Sequence, residues 1–91
     1  MDSHSHTTGA WKAVDINKDN INVLLRALYP LRHIRVRIVV ECSQQVVAGM
    51  NYRFIIQGSD LKINARDTRF AIRIFEQPWT NTLRVDSIEQ L

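Results

Sequence analysis

The chain has 91 residues, enough for one compact domain with a single core and too few for two, since independent domains run to about 50–200 residues. Its composition, 45% hydrophobic and 23% charged with only three Gly and two Pro, fits a globular protein and excludes disorder or a fibre. The formal charge of +3, from 12 basic and 9 acidic side chains, can hasten encounter with an acidic partner but falls short of the basic stripe that nucleic-acid binding requires.

Residues 1–8 carry no periodic apolar pattern and read as a flexible N-terminal segment, leaving 9–91 as the single domain. The segment Ala10-Trp11-Lys12-Ala13-Val14-Asp15-Ile16 can form a short strand, after which Asn17 or Asp19 offers the side-chain oxygen that caps a helix. Ile21, Leu24, Leu25 and Leu28, extended by Leu31, follow the i, i+3, i+4, i+7 spacing of an amphipathic helix, with Asn22 and Arg26 on the far side. Pro30 ends that helix around Tyr29, because it lacks a donor and crowds the preceding turn.

The period then drops to two. Ile34, Val36, Ile38, Val40 and Cys42 alternate with Arg35, Arg37, Val39, Glu41 and Ser43 in the manner of a half-buried strand. A second strand runs from Met50 to Gln57 with Met50, Tyr52, Phe54 and Ile56 on one side, and Gly58-Ser59-Asp60 signals a turn. Leu61–Ala65 extends or bulges, and Arg66-Asp67-Thr68 is a second turn. Phe70, Ile72 and Ile74 alternate along a strand from Arg69 to Gln77, Pro78-Trp79 interrupts, and Thr80 to Ile88 closes as an edge strand. One helix and short-linked strands make an α+β protein whose antiparallel sheet covers the helix's apolar stripe with one face.

Several chemistries are excluded by residue type. Cys42 is the sole cysteine, so no internal disulfide forms. With only His4, His6 and His33 besides, no closed Cys/His zinc site is expected, and His4-Ser5-His6 reads as part of a loose tail. No cofactor is expected either: Gly9, Gly49 and Gly58 stand too far apart for a phosphate-cradling turn. Cys42 shares the parity of the buried stripe and reads as a core residue rather than a nucleophile paired with His33. No run approaches a membrane span, and the opening residues lack a signal-peptide pattern. The protein is therefore expected to be cytoplasmic, or secreted with its leader removed.

Two connections are unusual. Gln45-Val46-Val47-Ala48-Gly49 lies where two long strands reverse, yet hairpin tips are normally polar. Either Val46 and Val47 continue the strands and Ala48-Gly49-Met50-Asn51 makes the turn, or the Val and Ala methyls form a blunt apolar tip for a partner's cleft. Pro78-Trp79 sets a large indole between two more strands, where it either folds back on the core or serves as a binding hot spot. Alternate connections of an antiparallel meander fall at one end of the sheet, so the two loops should be neighbours.

These residues resemble the cystatins, inhibitors of papain-like cysteine proteases. Gln45-Val46-Val47-Ala48-Gly49 matches the family's QxVxG first-hairpin motif, Pro78-Trp79 its second-hairpin PW, and Gly9 its N-terminal glycine. The resemblance implies a five-stranded antiparallel sheet packed on one helix. It also implies a reversible, tight-binding inhibitor and no enzyme activity, with Gly9, Gln45, Val46, Val47, Ala48, Gly49, Pro78 and Trp79 as the protease-binding residues. The absence of disulfides is similar to stefins and many plant members, while Thr8 stands before the glycine where many members carry a bulky apolar residue. Cathepsin-type enzymes are the partners implied, with the monomer as the active form. A domain-swapped dimer is open to the chain if Ile34 to Gln57 straightens into one strand. The rival reading is a non-inhibitory module of the same fold that uses Arg35, Arg37, Arg53, Arg69 and Arg73 on one sheet face for an acidic partner. No aromatic is expected among these arginines, so nucleic acid is not expected as a partner; nor is a membrane, for want of a long apolar run.

Overall fold

The computed structural model describes residues 9–91. The expected flexible segment over 1–8, with the two N-terminal histidines, lies outside the described residues. The elements are β1 (Trp11–Val14), α1 (Lys18–Leu28), β2 (Ile34–Val47), β3 (Gly49–Asp60), β4 (Ala65–Gln77), a 3-10 turn (Pro78–Thr80) and β5 (Thr82–Gln90). The strands form one five-stranded antiparallel sheet in the order β1-β2-β3-β4-β5. The expected architecture of one helix on such a sheet is therefore borne out.

Asn17, rather than Asp19, caps the helix. Its side chain accepts from the Asn20 N–H at 2.9 Å, while the Asn20 side chain accepts from the Asn17 N–H at 2.9 Å. Two amide donors that helix geometry leaves unpaired are thereby satisfied, worth about 1 kcal/mol. The buried stripe is Asn20, Val23, Leu24, Ala27 and Leu28. Leu25, expected inside, is 55% exposed, because Val23 and Ala27 rotate the apolar face by part of a turn. The helix ends at Leu28 with Tyr29 as C-cap, as Pro30 requires.

Val23, Leu24, Ala27 and Leu28 pack on Phe54, Ile56, Phe70, Ile72 and Ile74 of the central strands. Each fully buried side chain of this size contributes about 1.5–3 kcal/mol, so this contact outweighs the helix cap and sets where the helix lies.

β2 departs from simple alternation. Its register against β3 shifts between Val36 and Ile38 and again between Val39 and Glu41, and each bulge inserts one residue and flips the faces. The inward stripe becomes Ile34, Val36, Val39 and Cys42, leaving Ile38 47% exposed. Two flips cancel, which is why Cys42 is buried as expected although Ile38 and Val40 are not in the stripe.

The far end of the sheet also corrects the expected turns. Gly58-Ser59-Asp60 is strand, and the reversal occupies residues 61–64, with Asn64 at φ 55°. Asp60 Oδ1 accepts from the Lys62 N–H at 2.9 Å, which closes this turn. Gly58 is needed because a Cβ there would stand 1.9 Å from the Arg35 carbonyl oxygen: its signal marks backbone approach at the first β2 bulge. Arg66-Asp67-Thr68 is likewise strand. Gly58 faces Thr68 and Asp60 faces Ala65, so β4 carries an extra residue, with Asp67 at φ 45°. The polar triplet is thus a bulge, whose local geometry uses the same residue types as a turn.

Candidate functional site

At the opposite end of the sheet the β2–β3 reversal is as short as a hairpin allows. Val46 pairs with Met50 and Val47 with Gly49, leaving Ala48 alone outside the ladder. The two valines therefore continue the strand, as β-branched residues favour, while the four-residue turn from Ala48 to Asn51 that the first alternative joined to them does not form. The tip is nevertheless apolar and accessible: Val46 is 52% exposed and Ala48 is exposed. Gly49 has φ +122°, and a Cβ on it would stand 2.6 Å from the Glu76 carbonyl oxygen of β4. Only glycine lets the chain turn this closely over its neighbouring strand.

The second connection is built on Pro78, whose fixed φ and missing N–H suit the first position of a helical turn. Asn81, at φ 55°, closes the turn by donating its N–H to the Pro78 carbonyl at 2.9 Å. Trp79 sits at the apex and is 69% exposed. It does not fold back onto the core.

Hydrogen bonds tie the three segments together. Gln45 Nε2 donates to the Gly9 carbonyl at 2.7 Å, Asn51 Nδ2 donates to Gln45 Oε1 at 2.8 Å, and the Gly9 N–H reaches the Val46 carbonyl at 3.4 Å. Gln77 Nε2 donates to the Ala48 carbonyl at 2.7 Å, and the Thr80 hydroxyl donates to Gln77 Oε1 at 2.7 Å. The first pair of amides fixes where the N-terminal segment leaves the sheet; Gln77 and Thr80 brace one hairpin against the other. Gly9, Gln45, Val46, Val47, Ala48, Gly49, Pro78 and Trp79 thus share one edge. Gln77 and Thr80 carry no site signal in the sequence, and Asn51 enters there only as the last residue of one alternative turn. An amide one strand away from the carbonyl it serves leaves no local signature.

Among the described residues that share this edge, Gly9, residues 45–49, Pro78 and Trp79, none is ionisable. Behind it, Glu76 takes the Arg26 guanidinium at 3.0 Å and the Tyr52 hydroxyl at 3.4 Å. The Tyr52 hydroxyl is pushed above its ordinary pKa, chiefly by burial and then by the Glu76 charge. Cys42 is buried and its thiol is pushed up to about 11 by burial, the opposite of an activated nucleophile. His33 is far from it: eight strand residues at about 3.3 Å each separate them. Among the described residues no group of three His, Cys, Asp or Glu could hold a metal ion, and no helix is long and apolar enough to cross a membrane.

The sheet face turned away from the helix differs from expectation. Aromatics do lie among its arginines: Arg73 stacks over the Trp11 ring at 5.1 Å and Arg84 over Phe75 at 4.5 Å. In the sequence Trp11 shows only as part of a strand, because its cross-strand neighbours depend on the register.

No protein-family model matches the chain. It is 34% identical over 101 residues to a cystatin-like cysteine protease inhibitor of Phytophthora infestans, covering 90% of this chain but only 59% of that relative's length. It is 32% identical to cysteine proteinase inhibitor 8 of Oryza sativa subsp. japonica, covering 94% of this chain and 74% of the rice protein. Among solved structures, the salivary cystatin of the soft tick Ornithodoros moubata superimposes with a TM-score of 0.65 at 21% identity, over 91% of this chain and 97% of the tick protein. The Phytophthora and rice relatives are inhibitors of cysteine proteases.

Proposed function

The chain belongs to the cystatin family, and from that premise we propose that it is a reversible, tight-binding inhibitor of papain-like, cathepsin-type cysteine proteases that acts as a monomer. The observation that carries the reading is the braced apolar edge, in which Gly9, Ala48 and Gln77 are joined through the 2.7 Å bonds of Gln45 and Gln77. The Val46 to Gly49 tip and Trp79 enter the active-site cleft on either side of the catalytic cysteine. The segment around Gly9 lies along the substrate subsites.

Two features of the backbone support inhibition without cleavage. A protease reads its substrate as an extended strand, but Ala48 sits in a one-residue reversal and Gly49 has φ +122°. Gly9, at φ +86°, departs from an extended strand in the same way. No scissile bond is offered in line with the nucleophile. Because both loops are held before docking, little conformational entropy is lost on binding. The test is inhibition of papain with trypsin as a serine-protease control, followed by intact-mass analysis. Inhibition of papain alone, with an unmodified chain recovered on dissociation, is expected. A covalent adduct, stoichiometric cleavage within residues 45–49, or equal inhibition of trypsin would contradict the reading.

A further inference from the structure

The outer sheet face holds a second feature that plugging a protease cleft does not use. Arg53 of β3 stands directly opposite Arg73 of β4, an arrangement of like charges that weakens a sheet. The ion pairs among the described residues are Arg26–Glu76, Arg37–Asp67 and Arg84–Asp86, so neither guanidinium of the opposed pair takes part in them. Both line an open cleft of about 350 Å³ with Trp11 and Ser43. Trp11, 38% exposed, lies against Arg73 and gives the cleft an apolar wall.

We propose that this cleft of Trp11, Ser43, Arg53 and Arg73 is a second binding site, which receives an aspartate or glutamate side chain from an acidic segment of a partner protein. Two adjacent guanidiniums offer paired N–H donors matched to one carboxylate, and the indole takes an apolar neighbour of that residue. Charge relief supplies the selectivity, since a carboxylate between Arg53 and Arg73 removes a repulsion that the free protein retains.

The adjoining row of the same face argues against a polyanion. It runs Glu41, Ile55, Ala71, Glu89 across four strands, so two carboxylates flank the path that a phosphate chain would follow. Positive charge is therefore interrupted on that side by Glu41 and Glu89, whereas nucleic-acid grooves need continuous positive charge.

The test uses the full chain carrying Trp79→Phe, so that Trp11 is the sole indole. The probe is an acetylated, amidated octapeptide alternating Glu and Leu, titrated while Trp11 emission is followed. A saturable change is expected. It should weaken at least tenfold in Arg53→Gln/Arg73→Gln and with the peptide in which Gln replaces Glu, and it should diminish with added salt. Thermal melting of Arg53→Gln gives an independent readout, expected at or above the parent temperature because a repulsion is removed. Equal binding of the Gln peptide, unchanged binding by the double variant, or no saturable change would overturn the proposal. So would tighter binding of an eight-base thymidine oligonucleotide, or a melting temperature that falls by several degrees in Arg53→Gln.

Discussion

Trp79 has little core packing to lose, being 69% exposed at the apex of its turn, so its removal tests binding without testing folding. An indole at the centre of an interface buries a large, nearly rigid area. Trp79→Ala is expected to raise the inhibition constant by the equivalent of about 2 kcal/mol or more, the threshold of a hot spot, with an unchanged melting temperature. Deleting Met1 to Thr8 should cost less, because Thr7 and Thr8 offer little apolar area; a larger loss on deletion would make the N-terminal segment the anchor. Cys42 presents the reverse case, a buried group with no part in binding. Its folded pKa of about 11 lies above the ordinary 9.0, so folding favours the protonated thiol. That contribution is fully present below pH 9 and is lost as the pH rises through 11, a total of about 2–3 kcal/mol. Tyr52 shifts in the same direction. Urea midpoints at pH 8 and 10.5 should therefore fall more for the parent than for Cys42→Ala, and an equal fall would locate the alkaline sensitivity elsewhere.

At the scale of elements, the two hairpins depend on each other through one side chain. Gln77 ends β4, yet its amide holds the Ala48 carbonyl of the first hairpin while Thr80 holds the amide in turn. One such bond contributes a net 0.5–1.5 kcal/mol as an order of magnitude, and here it orders the free loop rather than the fold. Gln77→Ala is therefore expected to raise the inhibition constant roughly three- to tenfold, with little change in melting temperature. Amide exchange at Ala48 and Gly49 in the free protein should quicken. Weakened inhibition with unchanged exchange would mean that Gln77 touches the protease directly. The long strands show how far a period of two can be trusted. In β3 and β4, Tyr52, Phe54, Ile56, Phe70, Ile72 and Ile74 are all buried as their spacing indicates. β2 holds a run of apolar residues without strict alternation, and two bulges decide which of them face inward.

For the molecule as a whole, the reversal at Ala48 is the weak point of topology. β2 and β3 are separated by that one residue, and both valines before it already have strand geometry. Straightening this position converts Ile34 to Asp60 into a single strand, which can pair with a second copy through the contacts that now close the hairpin. Concentration or heating should then produce a domain-swapped dimer. Because the exchange consumes the Val46 to Gly49 tip, the dimer isolated by gel filtration should not inhibit papain; a dimer as active as the monomer would mean that the strands associate without exchange.

The order of local periods, 3.6 then 2, together with Pro30, Gly49 and the Pro78-Trp79 pair, was enough to determine one helix, an antiparallel sheet and the two hairpins that form its edge. Those features depend on side-chain spacing and backbone freedom within a few residues, which a sequence displays directly. Bulges at β2 and β4, the turn at 61–64, the brace from Gln77 to Ala48 and the Arg53–Arg73 pair beside Trp11 were decided only in three dimensions. Each is a relation between strands distant in the chain. Register between strands comes from the best total packing of the sheet against its helix, and no single segment carries that sum.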